Sequence, residues 1–444
     1  MAAKKVHLEQ VERTSSKFWE AEVVGKKVVT RWGRIGSAGQ TKTKTCRDHI
    51  FAAFELRKRV DAKLREGYRE PTKPVPPGLA TRDAALEAAI RADRADPAAY
   101  LVYADWLQTH GNPLGNLIVL HHARKLKKAN ALAATLDIPD PELATVGWRF
   151  GMWEWLHLEN GRDWMDAAFD PLPLAQRLFA SPMCAALEEL RIGILRWDHN
   201  DEDVPTVLGE AANHAWAADL PKLHLGAVDG NIDMAHHVIG TVGKLITKTF
   251  PNLILLKLHS GDQSWRRKGT FEIAGLALPH LTDLVIETCS WSKKRMKDLV
   301  AATLPNLERL ELWFGSADYG ANCTVRDLAP LLDGTVFPRL RTLGLRNAEF
   351  ANALAEALPA AAIAPRIESL DLSMGTMTDE GATALAAGAK RFKKLKVLSV
   401  DDNFLTPHAL RGLRAAFPGV VSKTQKDPDD SIEGELHYYV SVSE

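Results

Sequence analysis

The stretch RWGRIGSAGQ sets Trp32 between Arg31 and Arg34, with Gly36 and Gly39 close behind. An indole flanked by guanidinium groups suits a flat, negatively charged ligand, because the ring can stack while the cations attract phosphate. The QTKTKT run adds Lys42 and Lys44, which the two-residue period of a strand sends to one face. Lys17 stands just before an aromatic pair in SSKFWE. Trp32, Arg31, Arg34, Lys17, Lys42 and Lys44 are therefore the candidate nucleic-acid-binding residues. Each has a plainer alternative. Trp32 could plug a small core against Phe51 and Phe54, and the lysines could guard an exposed strand edge.

Other chemistry is scarce. His121 and His122 are adjacent, and neighbours on a helix project about 100° apart, so they do not share a metal ion readily. Asp105 beside Trp106 in YADWL reads as a helix turn, with the tryptophan in the core. Cys46, Cys184, Cys289 and Cys323 are far apart and form no CxxC pair, which argues against a disulfide framework or a zinc site and favours a reducing cytoplasm. The sequence contains no GxxxxGK[ST], GxSxG or HExxH. No catalytic residue, metal or cofactor is expected, and an enzyme is not the favoured reading.

A formal net charge of zero over 444 residues hides an asymmetry. Residues 1–73 hold 18 Lys and Arg against 9 Asp and Glu, so the remainder of the 56 against 56 is 38 against 47. A basic module joined to an acidic body directs any nucleic-acid partner to the first region alone. The chain lacks an apolar run of about 18 residues, so no membrane span is expected. MAAKKVHLEQVERT has no apolar stretch suited to a secretory signal.

The elements that must position these residues fall into three regions. In residues 1–71, KVHLEQVE, KFWEAEVV, KVVTRWGRI and QTKTKTC read as strands. DHIFAAFELRKRVDAKL then changes to helical period, with Ile50, Phe51, Phe54 and Val60 on or near one side. Residues 72–80 are a proline-rich linker, and 81–180 read as a helical region with Trp148, Trp153 and Trp155 clustered near its end. Residues 181–444 repeat the pattern LxxLxL, with central leucines at 190, 223, 256, 284, 310, 343, 370 and 398. That period fits leucine-rich repeats, each a short parallel strand with a helical return that cannot bury its apolar face without neighbours. A curved α/β solenoid with a parallel sheet is predicted, closed by a cap strand in SIEGELHYYVSV. Its inner row comprises Arg191, His224, Lys257, Val285, Glu311, Gly344, Asp371 and Ser399; the next positions include His259, Glu287, Trp313, Arg346 and Asp401. The row is mixed in sign and suits a protein more than a phosphate track. The candidate protein-binding residues are His224, Lys257, His259, Glu287, Glu311, Trp313, Arg346, Asp371 and Asp401, with Trp313 as the natural anchor.

The first region resembles a WGR domain, whose motif stands here as Trp32-Gly33-Arg34, supported by SSKFWE upstream and by a helix ending in Gly67-Tyr68. In the DNA-damage-dependent poly(ADP-ribose) polymerases this domain grips a DNA end. The resemblance implies a stacking role for Trp32, with Arg34 as the motif arginine and Lys17 as the lysine before the aromatic. YADWLQTHGNPLGNLIVL resembles a bacterial companion domain found beside leucine-rich repeats, and the third region resembles the ribonuclease-inhibitor class of those repeats. The whole resembles bacterial WGR and leucine-rich-repeat proteins. The expectation is a multidomain α/β adaptor that binds DNA through its first module and a protein through the concave face of its repeats. A pure protein-interaction scaffold is the alternative.

Overall fold

The computed structural model describes residues 5–12, 15–68, 71, 77–136, 139–161, 169–196, 199–227, 237–262, 270–429 and 436–442. The chain divides into two compact units: Met1–Leu187 with Ile194–His199, and Glu188–Gly193 with Asn200–Glu444.

The first unit opens with four strands, β1 (Val6–Glu12), β2 (Ser15–Val24), β3 (Lys27–Arg34) and β4 (Gln40–Thr45), hydrogen-bonded in that order. All three pairings are antiparallel. Alternation sorts the residues. Val6 and Leu8, Trp19 and Ala21, and Val28 and Thr30 point to one face and are buried there. Helix α1 (His49–Arg65) packs on that face, starting where the Asp48 carboxylate accepts the Phe51 N–H at 2.9 Å. The core-facing stripe of α1 is Ala52, Leu56 and Val60. The expected apolar side of α1 is thus corrected: Ile50, Phe51 and Phe54 are exposed at 46%, 47% and 54%.

Beyond the linker, whose residues 72–76 lie outside those described, helices α2 (Ala84–Ala92), α3 (Pro97–Thr109), α4 (Pro113–His122) and α5 (Leu126–Ala133) follow. Pro97 does not break a helix. It and Pro113 each stand at a first helical position, behind the caps Asp96 and Asn112. The buried Glu87 carboxylate accepts from Arg82 at 2.7 and 2.8 Å and from the Tyr103 hydroxyl at 2.9 Å, tying α2 to α3. Trp106, expected in the core, is half-buried and stacks on His110 at 4.0 Å. The region read as helical also contains an antiparallel hairpin, β5 (Ala144–Arg149) and β6 (Met152–Leu158). Its turn has positive φ at Phe150 and Gly151, 48° and 85°, as a two-residue hairpin turn demands. Helix α6 (Pro171–Ala180) follows.

The second unit carries β7 (Glu189–Ile192), β8 (Lys222–Leu225), β9 (Leu255–His259), β10 (Asp283–Glu287), β11 (Arg309–Gly315), β12 (Thr342–Ala348), β13 (Ser369–Asp371), β14 (Val397–Ser399) and β15 (Val420–Val421). They lie side by side in sequence order, every pairing between them parallel. The central leucines stack in register from Leu190 through Leu398, and all are buried. Helices return the chain over 200–211, 243–249, 293–300, 329–332, 351–357, 379–387 and 407–416, while the β9–β10 connection shows none among the described residues. The buried Asn403 side chain stitches two turns together, donating to Leu372 O at 2.9 Å and Val400 O at 3.2 Å and accepting the Met377 N–H at 2.9 Å. The predicted cap strand is corrected. Residues 431–435 lie outside those described, and 436–442 make one isolated bridge, His437 with Asp429, rather than a strand.

Candidate nucleic-acid interface

Residues directly opposite in an antiparallel pair share a face. Trp32 lies opposite Trp19 and Gln40, Arg34 opposite Lys17, Thr30 opposite Lys42, and Val28 opposite Lys44. Trp32, Arg34, Lys17, Lys42 and Lys44 therefore stand on one face of the sheet. Arg31, one residue from Trp32, points to the other. There its Nε donates to Glu20 at 2.6 Å, an Nη donates to Ala38 O at 3.2 Å, and the guanidinium lies 4.8 Å from the Phe18 ring centre. The expectation that both neighbouring arginines frame the indole is corrected by this alternation.

The opposite face is a charge cluster. Glu20, itself buried, meets Arg31, Lys5 at 2.7 Å and His7 at 2.9 Å. Burial opposes ionisation of this carboxyl. The hydrogen bonds from Arg31, Lys5 and His7 outweigh burial and hold the pKa near 2. Burial likewise disfavours the His7 cation, yet Glu9 and Glu20 raise its pKa above the ordinary value.

On the Trp32 face, the indole is half-buried. Its inner side packs on the cluster of Val6, Leu8, Trp19, Ala21, Val60 and Tyr68, so its core contacts are not Phe51 and Phe54. Its remaining surface lines a cavity of about 310 Å³ together with Trp19, Thr30, Lys42, Arg59, Ala62, Lys63 and Tyr68. Three aromatic side chains and three cations thus surround one space between sheet and helix. Arg59 and Lys63, four residues apart on α1, went unnoticed as site residues. Their spacing in LRKRVDAKLR places both on one side of a helix, and that was the available signal. Lys44 and Arg59 share Glu55, each at 2.7 Å, and the two cations hold that carboxyl below its usual range. Lys63 pairs with Glu66. Among the described residues, Lys17, Arg34 and Lys42 have no carboxylate partner. The loop after Arg34 folds back against the Phe18 ring and the Trp32 backbone, on the face opposite the indole. At Gly39, with φ +69°, a Cβ would lie 2.7 Å from Phe18 Cζ and 2.8 Å from Trp32 O, so glycine is required.

In the second unit the predicted inner row stands in register, from Arg191, His224 and Lys257 through Val285 and Glu311 to Gly344, Asp371 and Ser399. Its charged members are spent largely on one another. Lys257 and His259 both hold Glu287, at 2.8 and 3.0 Å, and His224 lies 3.5 Å from Glu189. Arg346 reaches Glu311 at 2.7 Å and Asp371 at 3.5 Å and lies over the Trp313 ring, whose N–H donates to Glu311 at 3.1 Å. Two expectations are corrected. His259, Glu287 and Glu311 are buried rather than displayed. Asp401 accepts the backbone N–H groups of Lys423 and Thr424, at 2.5 and 2.7 Å, instead of facing outward.

The sheet, the helix and the WGR motif define the first module. Residues 4–75 match the WGR domain family. No curated protein matches the chain. Among solved structures, the chain is similar to a protein from Bacteroides fragilis, at 19% identity and a TM-score of 0.51, over 99% of this chain and 100% of that one. That likeness concerns the fold alone. Among the described residues, no helix is long and apolar enough to cross a membrane.

Proposed function

We propose that the WGR module binds DNA through its Trp32 face. The observation that carries this reading is the cavity where Trp19, Trp32 and Tyr68 meet Lys42, Arg59 and Lys63, on the same sheet face as Lys17 and Arg34. Rings offer stacking to a nucleotide, and Lys17, Arg34 and Lys42 offer attraction to phosphates, so binding is driven by the backbone and weakly selective for sequence. The parallel repeats of the second unit form a leucine-rich-repeat solenoid of the ribonuclease-inhibitor class, which captures a protein partner. The whole acts as a non-enzymatic adaptor in the cytoplasm. A mobility shift with a short duplex tests the first part: Trp32→Ala removes a stack worth about 1–3 kcal/mol and should weaken binding by roughly fivefold or more. The absence of any shift by the unaltered chain at low salt sinks the reading.

A second reading, that the module docks protein alone, draws on α1. Ile50, Phe51 and Phe54 form an exposed apolar stripe there, with the Arg47 guanidinium 4.1 Å from the Phe51 ring centre. Phe51→Ser/Phe54→Ser with unchanged DNA binding and lost partner binding would favour it.

A further inference from the structure

Residues 436–442 cross the ends of the strands in the second unit. Tyr438 and Tyr439 meet Phe404 edge-on, with centroids 5.0 and 5.5 Å away. Lys426 Nζ donates to Tyr439 O at 2.5 Å. Val440 is buried, and the Ser441 N–H donates to Met374 O at 2.9 Å. The Asn347 carboxamide then takes both backbone groups of Val442: its Nδ2 donates to the carbonyl at 2.6 Å, and its Oδ1 accepts the N–H at 2.9 Å. The Val442 side chain packs with Trp313 and Tyr319 against Cys289.

The path follows a feature of the repeats. Asn347, Met374 and Asp402 each stand four residues after a central leucine, and each holds a left-handed backbone, with φ of 56°, 69° and 50°. Such conformations cost free energy in residues other than glycine and persist where surroundings enforce them. Two of the three touch the segment directly, Asn347 through its side chain and Met374 through its carbonyl.

Most polar contacts read backbone, and the apolar contacts hold alternate side chains, the buried Val440 and the half-buried Val442. Backbone reading with pockets at every second residue is the physics of extended-peptide recognition. We propose that this groove is a binding site for an extended partner peptide of the form aromatic-Val-x-Val, and that residues 436–442 occupy it in cis as a displaceable competitor. The proposal rests on the reading that the second unit captures a protein, and gives that partner a chemistry.

The test uses a fluorescent synthetic peptide of residues 437–442, HYYVSV, and fluorescence polarisation. A chain ending at residue 435 should bind it saturably. The full chain should bind it at least about tenfold more weakly, because a tethered competitor acts at high effective concentration. Asn347→Ala in the shortened chain removes two of the backbone bonds and should cost about tenfold. Asp in place of either valine of the peptide should abolish binding. If shortening unfolds the chain by circular dichroism, the full-length Val440→Asp/Val442→Asp variant replaces it, with the same expectations. No saturable binding by a folded open chain, equal binding by open and full chains, or indifference to Asn347→Ala would each overturn the proposal. Those outcomes leave partner capture by the strand face standing, because that reading is tested by Lys257→Ala, whose side chain pairs with Glu287 and touches no residue of the segment, against an identified partner.

Discussion

Lys42→Ala asks how many phosphates the Trp32 face meets. Three of its cations, Lys17, Arg34 and Lys42, meet no carboxylate among the described residues, whereas Lys44, Arg59 and Lys63 are already paired. Each phosphate neutralised on duplex DNA contributes about −0.9 to the slope of log affinity against log salt, so three free cations imply a slope of about −2.7. Between about 50 and about 200 mM salt, that slope weakens binding about 40-fold; with one cation gone, the loss falls to about 12-fold. Fluorescence anisotropy of a labelled duplex at several salt concentrations reads the slope directly. Arg31→Ala serves as the control, because its guanidinium faces Glu20 across the sheet. An unchanged slope in Lys42→Ala, or a slope flattened by Arg31→Ala instead, would refute the assignment of faces.

The Glu20 cluster should respond to acid. Its carboxyl titrates near 2 in the folded chain, below its ordinary 4.5, so the stabilisation is complete above the ordinary value and lost as pH falls toward 2. Allowing for the partly exposed partners, its size is on the order of 1–3 kcal/mol. Arg31→Ala should therefore speed hydrogen exchange in β2 and β3 at neutral pH, with the difference from the unaltered chain shrinking below about pH 4. His7 has the opposite sign: its contribution is full below the ordinary histidine value of 6.5 and fades as pH rises through the higher folded pKa. Asn403→Ala leaves a buried carbonyl and N–H without partners and should destabilise the second unit by about 2–3 kcal/mol, read as a lower urea midpoint in tryptophan fluorescence.

The parallel strands were legible because each buries the same leucine pattern, recurring every 26 to 33 residues, and a parallel register follows once each strand lies beside the next. The faces of the first sheet were legible in principle, since alternation alone sends Arg31 and Trp32 to opposite sides. The attraction of an aromatic between two arginines obscured that. Phe51 and Phe54 misled for another reason: hydrophobic residues on a helix signal a face, but which face meets the sheet depends on how α1 crosses it, and the smaller Ala52 lies inward. The Trp148–Trp155 hairpin was hidden in a region whose helices dominate its pattern. The course of residues 436–442 depends on distant loops, so no local pattern in HYYVSV could have announced it.

At the end of the second unit's sheet stands β15, only two residues long. A second chain approaching along that margin would find backbone groups for little more than a single rung of hydrogen bonds. Growth into filaments by strand addition is therefore discouraged at that terminus, even though every strand before it invites a parallel neighbour.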